Sequence, residues 1–165
     1  TPRFLVQEGD ARSVLKTWPA GFAHCCVTSP PYFGLRDYGH AGQIGLEQTP
    51  EAYVAELVAV FREVHRILAP GGRVYIVSPY GLSDGAIQDP THTRSLVPRT
   101  FAYFSMQETP DYRLDYAFRS VTIDLVADPG TLDLMLQDRS PEDVRRLMAR
   151  QWNMARTLRA ILEKA

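Results

Sequence analysis

The stretch Val27-Thr28-Ser29-Pro30-Pro31-Tyr32 decides the fold of this chain, because it fixes where a buried strand ends. An apolar run from Phe22 to Val27 predicts that strand, and two prolines follow it closely. Proline cannot donate to a sheet ladder, and it holds the residue before it in an extended conformation. The strand must therefore end at Ser29. Because the carboxyl ends of strands in an open α/β sheet bind ligands, we expect a functional site here.

The residues before this stretch predict a parallel sheet. Phe4 to Asp10 has the pattern of a short strand, Ala11 to Trp18 has helical spacing, and Phe22 to Thr28 is the next strand. A strand, helix and strand with short links indicate a right-handed crossover between parallel strands. Asp10 is therefore expected at the same sheet edge as Ser29.

The residues after it predict a loop, a helix and a third strand. Phe33 to Gln48 contains four glycines and indicates a long surface loop, a kind of segment that is usually functional or disordered. Thr49-Pro50-Glu51 opens a helix that Pro70-Gly71-Gly72 ends. Arg73 to Val77 is the third strand, and it stops at Ser78-Pro79. The sheet should thus present two Ser-Pro ends side by side.

The second half predicts antiparallel strands and a last helix. Asp115 to Val126 alternates like a strand, with Tyr112 and Leu114 in a partner strand, and Asp128-Pro129-Gly130 indicates a turn. Ser140 caps a C-terminal helix over 141–164. One side of this helix is basic, and we interpret that side as solvated rather than phosphate-facing: Arg145, Arg146, Arg150, Arg156 and Arg159. The whole chain, 1–165, is expected to be one domain, with a motif-bearing half (1–80) and a tail (81–165).

Composition restricts the class of protein. The 165 residues carry a net charge of −1, which gives no overall attraction to nucleic acid. Cys25 and Cys26 are adjacent, as expected of small buried side chains in a reducing compartment, and no residue set has metal-ligand spacing, so no metal is expected. No apolar run reaches membrane-spanning length, so we expect a soluble cytoplasmic protein. Because the chain starts at Thr1, we expect a removed initiator methionine or missing upstream residues.

The motif and its flanks resemble one enzyme family. Ser29-Pro30-Pro31-Tyr32 is similar to the catalytic motif of DNA amino-methyltransferases, which methylate N4 of cytosine or N6 of adenine. The resemblance starts at Val6-Gln7-Glu8-Gly9-Asp10, includes Gly42-Gln43-Ile44-Gly45-Leu46-Glu47, and reaches Leu68-Ala69-Pro70-Gly71-Gly72. It implies an α/β fold with a partial Rossmann-like class I methyltransferase sheet. It also implies S-adenosylmethionine as cofactor and makes DNA a candidate substrate.

The resemblance assigns catalysis to Ser29, Pro30, Pro31 and Tyr32. An exocyclic amine is a poor nucleophile because its lone pair is delocalised into the ring. Ser29 Oγ and the Pro30 carbonyl are acceptors that can hold it, while Tyr32 can stack on a base taken out of the helix. Serine at the first motif position favours cytosine N4 over adenine N6. Asp10 either lies near the adenine of the methyl donor, as the resemblance implies, or caps the helix that follows it.

A different resemblance covers residues 81–126, which are similar to the tail of another class I methyltransferase group with an Asp-Pro-Thr-His-x-Arg loop. Here Asp89, His92 and Arg94 occupy that loop. These residues either line a substrate pocket or form a loop braced by its own hydrogen bonds, and we favour the braced loop. Arg36, in the long glycine-containing loop, is a further candidate for substrate contact.

The glycine-rich turn that holds the methyl donor in such enzymes is not found. Gly71-Gly72 precedes a strand, and Asp128-Pro129-Gly130 has neither a second glycine nor a predicted helix behind it. The expected sheet therefore lacks its first strands, and a homo-oligomer or a partner chain would complete it. Two alternatives stay open: a non-catalytic or partner-dependent oligomerising module with a reduced methyltransferase fold, and a class I methyltransferase of a small-molecule or protein substrate.

Overall fold

A four-stranded sheet organises the computed structural model, which describes residues 4–90, 92–104 and 114–165. The strands are β1 (Ala23–Thr28), β2 (Leu68–Pro79), β3 (Ser120–Val126) and β4 (Thr157–Glu163). The helices are α1 (Ala11–Val14), which continues as a 3-10 turn over Leu15–Thr17, α2 (Pro50–Ile67), α3 (Asp84–Ile87), α4 (Pro98–Ala102), α5 (Pro129–Leu136) and α6 (Pro141–Arg150). No helix within these ranges is long and apolar enough to cross a membrane.

The sheet begins parallel and finishes antiparallel. The spatial order is β1-β2-β4-β3, with β1 parallel to β2 and β4 antiparallel to both of its neighbours. Helix α2 makes the crossover from β1 to β2. It begins as predicted, with Thr49 Oγ1 accepting from Ala52 N at 3.2 Å and Pro50 at the first helical position. The predicted α/β sheet, parallel with late antiparallel strands, is confirmed.

The two faces of the sheet differ in burial. Alternate residues of β2 and β4 bury one face, where Val74, Leu158 and Leu162 are fully enclosed and α2 packs through Phe61 and Val64. We call the opposite face the open face. It is formed by the half-buried or exposed residues whose side chains point to the other side of the sheet: Cys25, Val27, Tyr75, Val77 and Ile161.

The predicted first strand, Phe4 to Asp10, is wrong. These residues have no regular secondary structure, and the side chains of Phe4, Leu5 and Val6 are almost fully exposed. An apolar run forms a strand only when a neighbouring strand takes up its backbone hydrogen bonds, and in the described sheet β1 pairs with β2 alone. The predicted helix from Ala11 is confirmed as α1 and its 3-10 continuation.

The C-terminal helix predicted over 141–164 is also wrong beyond its first ten residues. Ser140 Oγ accepts from Asp143 N at 3.1 Å, so α6 starts where expected, but it ends at Arg150. Asn153 then has a φ of 58°, which no right-handed helix accommodates. A turn follows, and Thr157–Glu163 form β4, whose backbone bonds to β2 on one side and to β3 on the other.

Four smaller predictions need correction. The strand expected over Asp115–Val126 is confirmed only from Ser120, and Asp128-Pro129-Gly130 begins α5 instead of forming an isolated turn. Proline fits the first helical position, so this segment does have a helix behind it. Strand β2 starts at Leu68, before the glycines that were expected to separate helix and strand. The proposed partner strand is not formed at Leu114, and Tyr112 lies outside the described residues.

Candidate active site

The carboxyl ends of β1 and β2 lie next to each other, which brings the two Ser-Pro pairs together. Thr28 pairs in register with Ile76, so Ser29 follows one strand end beside Ser78 at the other. Ser29 is exposed, whereas Ser78 is buried. This adjacency is the one predicted from the sequence, and it follows from the parallel pairing of the two strands.

The phenol of Tyr32 lies close to the serines at both strand ends. Burial raises the pKa of its phenol, and the nearby hydroxyls of Ser29 and Ser78 oppose that rise. Neither hydroxyl is in hydrogen-bond geometry with it: among the described residues, Tyr32 Oη and Ser78 Oγ are both buried without a partner. Such groups favour a bound polar molecule, because an unsatisfied buried hydroxyl costs about 1–3 kcal/mol.

A cavity of about 240 Å³ opens on the motif. Its lining consists of the whole motif and three residues of the following loop: Ser29, Pro30, Pro31, Tyr32, Leu35, Arg36 and Tyr38. The structure therefore brings Arg36 to the four motif residues. A second, mostly apolar cavity of about 480 Å³ lies between α2, α4 and the sheet, and Pro30 and Tyr32 form part of its wall.

Helix α2 contacts the motif through a residue that the sequence did not single out. Tyr53 Oη donates to the Pro31 carbonyl at 2.8 Å, and the rings of Tyr53 and Phe33 lie 5.5 Å apart. Its spacing with Leu57 and Phe61 predicts only that Tyr53 belongs to the apolar face of α2. The sequence did contain one signal of such a contact, namely the tyrosine hydroxyl, because a buried tyrosine usually has a hydrogen-bond partner.

The glycine-containing loop packs directly on the motif. Gly45 has a φ of 110°, and a Cβ there would lie 2.8 Å from the Tyr32 carbonyl oxygen. Gly34 N donates to Gly45 O at 2.7 Å, and Glu47 accepts from Gly45 N at 2.9 Å. Only glycine fits both this φ and this close approach to the Tyr32 backbone.

His92 and Arg94 lie near Tyr32. The rings of His92 and Tyr32 are 6.0 Å apart, and both residues line a narrow crevice with Arg94. His92 Nδ1 is 2.9 Å from the Ala86 carbonyl, and His92 N donates to the Asp89 carbonyl at 3.0 Å. These backbone contacts support the braced-loop interpretation, while the crevice brings His92 and Arg94 to the motif.

Asp10 acts as the cap of α1. Its carboxylate accepts from Arg12 N at 2.8 Å and forms an ion pair with the Arg12 guanidinium, which lowers the Asp10 pKa. Arg12 also reaches Glu56 of α2 at 2.7 Å and the Gly42 carbonyl at 2.6 Å. This network joins α1, α2 and the long loop. A contact from Asp10 to a methyl donor would compete with the Arg12 ion pair.

Comparisons with known proteins give a family and several relatives. A family model described as DNA methylase matches residues 23–110, a range that crosses residue 80, where the sequence resemblance changes. The Type II methyltransferase M.XycI of Xanthomonas campestris pv. cyanopsidis is 49% identical over 78 residues, which are 47% of this chain and 26% of that protein. M.Cfr9I of Citrobacter freundii is 46% identical over 78 residues, with the same shares. The chain thus spans about a quarter of the length of these curated relatives.

Among solved structures, a SAM dependent methyltransferase from Archaeoglobus fulgidus aligns with a TM-score of 0.57 at 17% identity. The alignment covers 98% of this chain and 68% of that one. At this identity the match shows a shared methyltransferase fold.

Proposed function

Because the chain belongs to the DNA methylase family, we propose that it forms the part of a methyltransferase site that binds the target amine of a DNA base. The observation that carries this proposal is the cavity at the end of β1, which Ser29, Pro30, Pro31 and Tyr32 share with Arg36. The two alternatives, a non-catalytic module with a reduced methyltransferase fold and an enzyme for small molecules or proteins, are not favoured, since the matched relatives are Type II methyltransferases.

The chemistry of the cavity suits an exocyclic amine. Ser29 Oγ and the Pro30 carbonyl can accept hydrogen bonds from the two N–H groups of the amine, which favours a pyramidal nitrogen whose lone pair is localised instead of delocalised into the ring. The ring of Tyr32 offers a face for a base removed from the helix, and the Arg36 guanidinium suits phosphate or base acceptors. Serine at the first motif position favours N4 of cytosine as the target over N6 of adenine.

S-adenosylmethionine is the proposed methyl donor, by analogy with the family and with the shared methyltransferase fold. The described residues do not fit it by themselves. Arg12 holds the carboxylate of Asp10, Gly71 and Gly72 lie inside β2, and Gly130 lies in the first turn of α5. We therefore propose that polypeptide beyond the described residues, from a second copy or a partner chain, packs beside β1 and binds the donor.

Methyl transfer from tritiated S-adenosylmethionine to unmethylated DNA tests this function, with mass spectrometry of the digested nucleosides to identify the base. Ser29→Ala should lower the rate about 100-fold, the scale of losing one preorganised hydrogen-bonding group. Ser13→Ala, an exposed serine on α1, is the matched control and should leave the rate unchanged. A Ser29→Ala rate equal to that of the unmodified protein would exclude the proposed role.

Calorimetry with S-adenosylmethionine separates autonomous from partner-dependent activity. Absence of binding by the purified chain, both dilute and at concentrations where it associates, would exclude autonomous catalysis. DNA affinity should fall steeply with salt, because phosphate contacts release counterions. Weak binding that is insensitive to salt would instead favour a substrate other than DNA.

A further inference from the structure

The motif backbone has few free torsions. The rings of Pro30 and Pro31 fix φ at both positions, and Ser29 and Pro30 each precede a proline, which restricts their ψ to extended values. The ψ of Pro31 and the φ of Tyr32 are thus the main backbone rotations left between Ser29 and the Tyr32 ring. A group that fixes the Pro31 carbonyl therefore restricts where the Tyr32 ring stands relative to the two acceptors of the site.

Tyr53 holds that carbonyl. Its hydroxyl donates to Pro31 O at 2.8 Å from the first turns of α2, an 18-residue helix. Burial raises the pKa of Tyr53 to about 12, with smaller contributions from Tyr32 and Glu47, so the hydroxyl keeps its proton at neutral pH. The contact with Phe33 supports the ring from one side. Helix α2 thus holds the Tyr53 hydroxyl as a hydrogen-bond donor to the Pro31 carbonyl, which belongs to the one peptide group of the motif that the prolines leave free to rotate.

The next peptide group is held as well. The Tyr32 carbonyl lies against Gly45, where a Cβ would approach it to 2.8 Å, and the loop around Gly45 is closed by the bond from Gly34 N. Both carbonyls that flank the Tyr32 side chain are therefore fixed by neighbours outside the motif. Tyr53 supplies the hydrogen bond, and Gly45 supplies the steric limit.

We propose that Tyr53 is a positioning residue for the target amine. By fixing ψ of Pro31 it sets the angle between the stacking face of Tyr32 and the acceptors Ser29 Oγ and Pro30 O, so that a stacked base presents its amine to them. This inference rests on the proposed function. It assigns Tyr53 no contact with the reacting atoms.

Tyr53→Phe tests the proposal, because it removes the hydroxyl and keeps the ring. Tyr116→Phe is the matched control: Tyr116 is also half-buried, and its hydroxyl donates to the Val58 carbonyl of the same helix at 3.2 Å. In methyl transfer, Tyr53→Phe should lower kcat about fivefold, the effect of one hydrogen bond, and should leave KM for DNA within about twofold. Tyr116→Phe should leave kcat unchanged, with both variants losing similar thermal stability.

A second measurement does not depend on activity. The NMR signals of the Tyr32 ring, assigned through Tyr32→Phe, should shift in Tyr53→Phe and stay in place in Tyr116→Phe. If the unmodified protein transfers no methyl groups under any condition, the proposed function fails while these signals still decide the positioning role. Unmoved Tyr32 signals, or an equal loss of kcat in both variants, would overturn the inference.

Discussion

Ser78 and Ser83 are two buried serines near the end of β2 whose hydroxyls differ in hydrogen bonding. Ser83 Oγ donates to the Tyr80 carbonyl at 2.6 Å, whereas Ser78 Oγ has no partner within the described ranges. A buried hydroxyl that is bonded contributes about 1 kcal/mol, while one without a partner contributes nothing and carries a desolvation cost. Replacing serine by alanine at the two positions therefore compares the loss of a bonded buried hydroxyl with the loss of an unbonded one.

We predict that Ser83→Ala lowers the free energy of unfolding by about 1 kcal/mol, and that Ser78→Ala changes it by less than about 0.5 kcal/mol or raises it. Urea titrations of both variants at neutral pH measure the difference. Each variant serves as the control for the other, because both remove one buried oxygen atom. Equal destabilisation would mean that Ser78 Oγ is bonded in solution.

Single residues also show what the sequence could predict of the site. Ser29 to Tyr32 were identifiable because two prolines must end a strand, and a strand end in a parallel sheet is a usual ligand site. Tyr53 was not identified, since helical spacing predicts that a ring is buried but does not give the partner of its hydroxyl, a carbonyl 22 residues away in sequence. The same holds for Gly45: the sequence shows a glycine, and only the fold shows what approaches it.

At the scale of elements, β4 explains the largest error. Leu158, Ile161 and Leu162 have helical spacing after α6, but Leu158, Ala160 and Leu162 also alternate with Arg159 and Glu163, as a strand requires. The helical period and the strand period both fit this seven-residue stretch, and the sequence alone does not decide between them. The ladders to β2 and β3 decide it, because they satisfy the backbone on both sides of β4.

Helix α2 makes stability depend on pH through His65, which contacts the rings of Tyr116 at 5.5 Å and Phe118 at 5.0 Å. Burial, and then the charge of Lys164, lower its pKa, against a smaller opposing effect of the Ala117 backbone. The unfolded chain, with an ordinary histidine pKa of about 6.5, then binds a proton that the folded chain does not. We predict that stability is lost as pH falls below about 6.5 and regained as it rises.

Urea unfolding at pH values from about 5 to about 7.5, the range in which histidine side chains titrate, measures this dependence. His65→Gln should flatten the slope, whereas His24→Gln, at an exposed position on β1, should leave it unchanged. A slope that persists in His65→Gln would assign the dependence to other groups.

At the scale of the whole molecule, large apolar side chains are exposed on β1 and in the segments that precede it. Val27 is 72% exposed on the open face, Phe22 is exposed just before the strand, and the extended residues from Phe4 to Val6 are exposed as well. Strand β1 is also an edge of the described sheet, with a row of backbone groups that β2 does not use. The strand is apolar and carries no charged residue at its centre. Edge strands of this kind pair readily with another chain.

We therefore predict that the purified chain self-associates through β1 and that Val27→Lys shifts it towards monomer, because a lysine on an edge strand opposes pairing. Leu134→Lys is the matched control, since Leu134 is 66% exposed on α5, which follows the opposite edge strand β3. Sedimentation velocity over a range of concentrations measures the outcome. A monomeric unmodified chain, or equal effects of the two lysines, would contradict association at β1. Loss of association in Val27→Lys alone would identify β1 as the edge at which another chain joins the sheet.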